Sequence, residues 1–194
     1  MWQPSILDDG AARVDASLAG LERSDLGAGA WLDVLEGWVA NPDDVFEQVL
    51  AQAPWAAHER RMYDRVVAEP RLTTRVWEAP PEPIPAMADA LSAHYGRDLH
   101  VVSANLYRTG QDSVAWHGDR IGRRQEETVV AIVSLGSPRR FLLRPKGGGA
   151  SRRIVTRSGD LLVLGGTCQR TWQHCVPKVR EAGPRVSVMF REGY

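Results

Sequence analysis

From about Leu99 onward, eight short runs rich in β-branched and aromatic residues follow one another, at residues 100–108, 114–119, 128–135, 140–145, 152–156, 160–164, 170–175 and 184–191. Glycine, proline and aspartate separate them at roughly ten-residue intervals, and no helical run comes between them, which argues against alternating βαβ units. Strands in this pattern close into a sandwich or jelly roll. The expected fold class is α+β, mainly β: a double-stranded β-helix (jelly roll) with two supporting N-terminal helices packed outside one of its sheets.

Those helices come from the first half of the chain. Asn41-Pro42-Asp43-Asp44 is a helix start, with an N-cap residue, proline at the first helical position and two acids in the electropositive first turn. Val45, Phe46, Val49, Leu50 and Ala53 share one face, and Pro54 stops the helix. Prolines 80, 81, 83 and 85 precede a second helix whose face is Ile84, Met87, Ala88, Leu91 and Tyr95, with Gly96 as its C-terminal cap. Trp31 to Leu35 alternates as a short strand, and residues 70–77 read as a loop entering a strand. The first thirty residues are weakly patterned, with Gly27-Ala28-Gly29-Ala30 as a flexible joint. The domain reading is therefore an N-terminal extension over 1–30 and a single domain over 31–194, its helical part 31–98 and its jelly-roll core 99–194.

The net charge of zero hides an uneven distribution: residues 1–104 hold 8 Lys and Arg against 17 Asp and Glu, and residues 105–194 hold 16 against 7. A basic half of this kind suits a phosphate backbone, although the two halves could equally pair their charges within the fold. Cys168 and Cys175 fit no zinc spacing and read as free thiols. No apolar run is long enough to span a membrane. The N-terminus has neither the basic start nor the apolar stretch of a secretory signal, so a cytoplasmic location is the expectation; a monomer is expected as well.

Trp116-His117-Gly118-Asp119 holds the closest pair of metal-ligand side chains. On a strand, residues two apart point to one face, so His117 and Asp119 would both enter the interior. His174, on a penultimate strand facing them across the barrel, would complete two imidazoles and one carboxylate, a set that leaves positions open on an octahedral metal. A bare His-x-Asp is weak by itself, and isolated histidines are more often core or surface, which is how His58, His94 and His100 are read. Arg185, in the final strand, adds weight: an inward guanidinium there could grip a carboxylate at two points, the alternative being a structural salt bridge. Arg191, six positions on, keeps the same parity.

Taken together, Asn105-Leu106-Tyr107-Arg108-Thr109-Gly110, His117-Gly118-Asp119, Ile132 to Gly136, Gly159 to Gly166, Trp172 to Lys178 and the strand from Arg185 to Arg191 resemble the AlkB-like iron(II) and 2-oxoglutarate-dependent dioxygenases over about residues 61–191. The resemblance implies that His117, Asp119 and His174 bind Fe(II), and that Asn105, Tyr107 and Arg185 hold 2-oxoglutarate with Arg191 close by. It implies a reaction with dioxygen in which the cosubstrate leaves as succinate and CO2, an N-methyl group on a nucleic-acid base is hydroxylated, and formaldehyde is shed. The base would be flipped out of the stack or taken from a single strand of DNA, or from RNA. Arg61 to Asp64 and Pro70 to Leu72 resemble that family's nucleotide-recognition lid, so Tyr63, Arg71 and Trp77 become candidate base contacts, with Arg123 and Arg124 as phosphate contacts.

Two departures concern the substrate. Base-repairing relatives commonly carry an acidic residue two positions beyond the ligand aspartate, where this chain has Ile121. The segment after Trp77 also runs straight into prolines, without a longer aromatic hairpin. Alternative readings are the same oxygenase chemistry on RNA, protein or a small molecule, and a metal-binding β-barrel with no turnover.

Overall fold

The computed structural model describes residues 12–62, 65–119, 122 and 125–193, without the side chains of 59–62 and 65–68. In chain order the N-terminal part comprises β1 (Arg13–Val14), β2 (Glu22–Gly27), β3 (Ala30–Leu35), β4 (Val39–Ala40), α1 (Pro42–Gln52), β5 (Ala56–Met62), β6 (Arg65–Thr74) and α2 (Ile84–Tyr95). The rest is β7 (Val101–Tyr107), β8 (Val114–His117), β9 (Thr128–Gly136), β10 (Arg139–Pro145), β11 (Arg152–Thr156), β12 (Leu161–Gly166), the single turn α3 (Cys168–Thr171), β13 (Trp172–Val176) and β14 (Arg185–Arg191). Each of the eight β-rich runs overlaps one of the strands β7 to β14, with ends that differ by up to two residues.

The described strands form three antiparallel sheets, one of them the short pair β1-β4. The minor sheet has the order β11-β10-β13-β8, and the major sheet β2-β3-β12-β9-β14-β7-β6-β5. The inner four strands of the major sheet and the four of the minor sheet together are the jelly roll. β9 and β12 are buried along their whole length, because one face meets the helices and the other meets the minor sheet, and their unbroken apolar runs reflect this. β10, with one face to solvent, alternates more.

The alternation divides two cores. Val102, Ala104, Leu106, Val186, Val188 and Phe190 face Phe46 and Val49 of α1 and Met87 and Leu91 of α2. Tyr107, Ile132, Met189, Phe141, Leu143 and Val176 fill the space between the sheets. Each fully buried side chain of this size contributes roughly 1.5–3 kcal/mol. By the same parity Ser103, Asn105, Arg185, Ser187 and Arg191 point into the intersheet space, where the site lies.

Several expectations are revised. Asn41 does stand at the N-cap of α1, but with φ 52°, in the left-handed region that asparagine tolerates, and without a side-chain capping hydrogen bond, while Leu50 is 38% exposed. Residues 27–30 are not a loose joint: they close the β2–β3 hairpin, and β2 is the outer strand of the major sheet. Of residues 70–77, read as a loop entering a strand, 70–74 are already the end of β6, paired with β5 on one side and β7 on the other, and the strand stops there instead of beginning. Residues 168–171 form α3 and not the start of a strand. Gly96, at φ 61°, does cap α2, and both cysteines are buried free thiols.

Candidate active site

His117, Asp119 and His174 come together with their ligand atoms within 4.8 Å of one another. They meet differently from the sequence expectation. β8 and β13 are hydrogen-bonded neighbours with His117 opposite His174, not strands facing across the barrel. β8 also ends at His117, so Asp119 lies in the following segment and strand parity does not place it. Gly118 and Gln169 place it instead. A Cβ on Gly118 would stand 2.7 Å from the carbonyl oxygen of Gln169, so only glycine lets this segment approach α3. The side-chain oxygen of Gln169 then accepts a hydrogen bond from the Asp119 backbone N–H at 2.7 Å.

The donors are prepared for a cation. His117 donates from Nδ1 to the Ala115 carbonyl at 2.8 Å, which fixes the tautomer and leaves Nε2 as the free lone pair. That Nε2 is 3.8 Å from Asp119 Oδ1. His174 is buried and stacked on Phe141 at 5.2 Å between ring centroids. Burial pushes its pKa down to about 4, against a smaller opposing pull from Asp119, so the ring is neutral at pH 7 and needs to lose no proton to bind a metal. His117 and Asp119 are partly exposed, which leaves the donor set open on one side.

Deeper between the sheets, Arg185 is 1% exposed. Its Nη2 donates to Ser134 Oγ at 2.8 Å, while Nε and Nη1 are buried with no hydrogen-bond partner. Unpaired buried donors are costly, and a carboxylate accepting from both would complete the pocket. The guanidinium carbon lies 5.3 Å from the Tyr107 ring centre, with Arg139 5.6 Å from the same ring. Burial and then the Arg139 charge pull Arg185 below the usual arginine pKa, opposed by Tyr107. A bound anion would relieve both effects. Asn105 donates from Nδ2 to the Met189 sulfur at 3.2 Å, and Arg191 donates to Ser103 Oγ at 2.7 Å while its Nε stays buried without a partner.

Of the candidate substrate residues, Arg71 donates from Nε to Asn105 Oδ1 at 3.2 Å and pairs with Glu69, which puts it beside the Asn105 pocket. Trp77 is corrected: it is 6% exposed in the helix-side core and gives its backbone N–H to Val102, so it offers no stacking platform. Tyr63, Ile121, Arg123 and Arg124 lie outside the described residues.

Two residues with clear positions were not singled out from sequence. Gln169 lies in a run that reads as strand and offers no signal. Arg139 reads as one of many surface bases, yet it shares parity with Phe141 and Leu143 and is buried. It donates to the carbonyls of Thr109, Asp112 and Pro177, tying the segments after β7 and β13 together beside Tyr107.

A jelly roll with two imidazoles and one carboxylate converging at the open side, and a buried guanidinium behind them, has the architecture of a metal-dependent oxygenase. The family model for the 2OG-Fe(II) oxygenase superfamily matches residues 39–191, and the chain belongs to that family as an AlkB-like 2-oxoglutarate-dependent dioxygenase. It is similar to the alpha-ketoglutarate-dependent dioxygenase alkB homolog 3 of Bos taurus, 29% identical over 217 residues that cover 99% of this chain and 74% of the relative. It is similar too to the DNA oxidative demethylase ALKBH2 of Arabidopsis thaliana, 28% identical over 189 residues, covering 75% of this chain and 60% of the relative. The solved structure of OsALKBH1 shares the fold, with a TM-score of 0.62 at 14% identity over 89% of this chain and 100% of that one. The family implies Fe(II), 2-oxoglutarate and dioxygen, and the donor set and the unpartnered guanidinium fit the first two. Among the described residues no helix is long and apolar enough to cross a membrane.

Proposed function

We propose that this chain oxidatively removes N-alkyl groups from bases in nucleic acid, with His117, Asp119 and His174 as iron ligands and Arg185, Asn105, Tyr107 and Arg191 as the 2-oxoglutarate pocket. The observation that carries the reading is the pairing of a three-donor cluster with a buried Arg185 that lacks two partners. When bound, iron would let dioxygen and 2-oxoglutarate supply the oxidising chemistry, one oxygen atom of dioxygen entering the N-methyl group to give N-hydroxymethyl, which sheds formaldehyde, and the other entering the succinate that leaves with CO2. The protein's own residues do the rest. Arg185 binds the far carboxylate, with Ser134 holding Nη2 so that the other nitrogens face the anion. Asn105, fixed by Met189 on one side and Arg71 on the other, lines the same pocket. Gln169 holds the Asp119 backbone, and Ala115 holds the His117 ring. Phe141, stacked on the His174 ring, and Leu143, opposite it in register, cover His174 with apolar side chains.

The nucleic-acid part of the reading is supported by the names of the relatives, which include a DNA demethylase, and by the excess of cations after residue 105. Arg123 and Arg124 are proposed as phosphate contacts on the strength of that charge. Ile121, where an acid commonly stands, favours a second reading in which the same chemistry acts on RNA, protein or a small molecule. The deciding experiment measures succinate and formaldehyde from purified protein with Fe(II), ascorbate and 2-oxoglutarate, with and without methylated single-stranded DNA, beside His174→Ala. Formaldehyde that needs both DNA and His174 is the expected result. Succinate without formaldehyde would reject the nucleic-acid dealkylase reading and favour the second one.

A further inference from the structure

The outer face of the minor sheet carries charge that the site does not use. Alternation along β10 turns Arg139, Phe141 and Leu143 inward and leaves Arg140, Leu142 and Arg144 outward. The register sets Arg153 of β11 opposite Leu142, and so between the two β10 arginines, with Val155 opposite Arg140 and Gln173 of β13 opposite Arg144. Three guanidinium groups therefore run along one face. The four strands of this sheet contain no Asp or Glu, and among the described residues Arg140, Arg144 and Arg153 enter no ion pair. Like charges on neighbouring sheet positions repel, and an external anion would relieve them.

Protection of an open sheet edge would explain cations on β11, which is an edge strand. It does not explain Arg140 and Arg144, because β10 is paired on both sides. Arg144 is also pre-organised. Its guanidinium carbon lies 4.0 Å from the centre of the Trp116 ring, and its Nε is buried without a hydrogen-bond partner. Stacking of this kind holds the planar group so that its outer nitrogens meet an oxyanion with little ordering cost. Trp116 sits on the edge strand β8 immediately before His117 and on the opposite face from it. An anionic chain lying along the outer face thus reaches the sheet edge next to the metal donors.

We propose that Arg140, Arg144 and Arg153 form a track for the phosphate backbone of a nucleic-acid strand, holding the nucleotides that flank the base delivered to the site. The inference rests on the nucleic-acid reading above, but it concerns a different face of the protein and is tested by binding, not by turnover. The charge-reversal pair Arg140→Glu and Arg153→Glu is placed on exposed side chains and leaves Arg144 against Trp116. The milder pair Arg140→Gln and Arg153→Gln serves as the second variant should the reversal disturb folding, which a thermal scan reports. The probe is a fluorescein-labelled, unmethylated oligothymidylate of roughly 20 nucleotides, read by anisotropy from about 50 to 200 mM salt.

The expected result is affinity weakened about tenfold or more at low salt for the reversal, less for the glutamine pair. The slope of log affinity against log salt should also flatten by about 1.4, two contacts at roughly 0.7 each. Unchanged affinity and slope in both variants overturn the track, and so does a wild-type protein that fails to bind the oligonucleotide. Formaldehyde release from a methylated mononucleotide, too short to use the track, judges the dealkylase reading separately. Salt-sensitive binding lost in the variants, without that turnover, leaves the track standing and removes the reading of the site.

Discussion

Gln169→Leu separates metal affinity from stability. In the native protein Gln169 is 6% exposed, its oxygen takes the Asp119 N–H at 2.7 Å, and its Nε2 is buried with no partner. Leucine of similar volume removes the acceptor and leaves a part-buried N–H unsatisfied, which costs about 1 kcal/mol, at the low end of the range for a buried group. It also removes the unpartnered Nε2, whose burial costs a similar amount. The two offset, so the melting temperature of the metal-free protein should stay within about 4 °C of wild type. Metal affinity has no such offset. Asp119 lies past the end of β8 and loses the contact that fixes its backbone, so Mn(II) or Co(II) affinity should fall roughly tenfold to a hundredfold, about 1.4–2.8 kcal/mol. Calorimetric titration of the metal-free protein, beside a thermal scan, measures both. Affinity within about twofold of wild type, with the fold intact, would refute the reasoning, because Asp119 would then be held by something other than Gln169.

Further outcomes follow from the same geometry. Gly118→Ala forces the Gln169 carbonyl away from its 2.7 Å approach and should reduce metal affinity at least as much as Gln169→Leu in the same titration. Arg185→Lys replaces a forked donor by a single one beneath the Tyr107 ring, and should weaken 2-oxoglutarate binding by about 1.5–3 kcal/mol while leaving Mn(II) affinity near wild type, as read by equilibrium binding of labelled cosubstrate. His174, with its pKa lowered by burial to about 4, stays neutral in the folded metal-free protein after the unfolded chain has taken up a proton near pH 6.5. The unfolded state binds more protons in that window, so stability is constant above about pH 6.5, falls as pH drops toward 4 by up to about 3 kcal/mol, and levels off below. Urea titrations at several pH values should show this component, and it should be missing in His174→Phe.

Much of the site was legible in the chain. The eight runs after Leu99 identify the strands because a half-buried or fully buried strand needs β-branched side chains in short blocks between turn residues. Period-two alternation then puts Asn105 with Tyr107, and Arg185 with Arg191, on one face each, and the structure shares out the faces in that way. What went unread were the outer strands of the major sheet. β2 and β5 each pair only with the next strand of a hairpin, and β6 joins β7 across α2, so a polar, charged stretch such as Arg65 to Thr74 carries little apolar pattern of its own once its partners supply the hydrogen bonds. Trp77 is an aromatic beside a proline-rich loop, and only the register of β7 shows that it closes the helix-side core.

By itself the sequence determined which residue types are present at the right spacing to be strands, helices, metal donors and an inward cation, since these follow from local periodicity and side-chain chemistry. The tertiary structure decided which strands are neighbours, and hence that His174 pairs with His117 directly. It decided that Asp119 is held by a glutamine fifty positions away, and that the adjacent arginines 139 and 140 part company, one buried among carbonyls and the other on the outer face. Those outcomes depend on register between distant strands, and a shift of one residue in register turns every side chain of a strand to the other face.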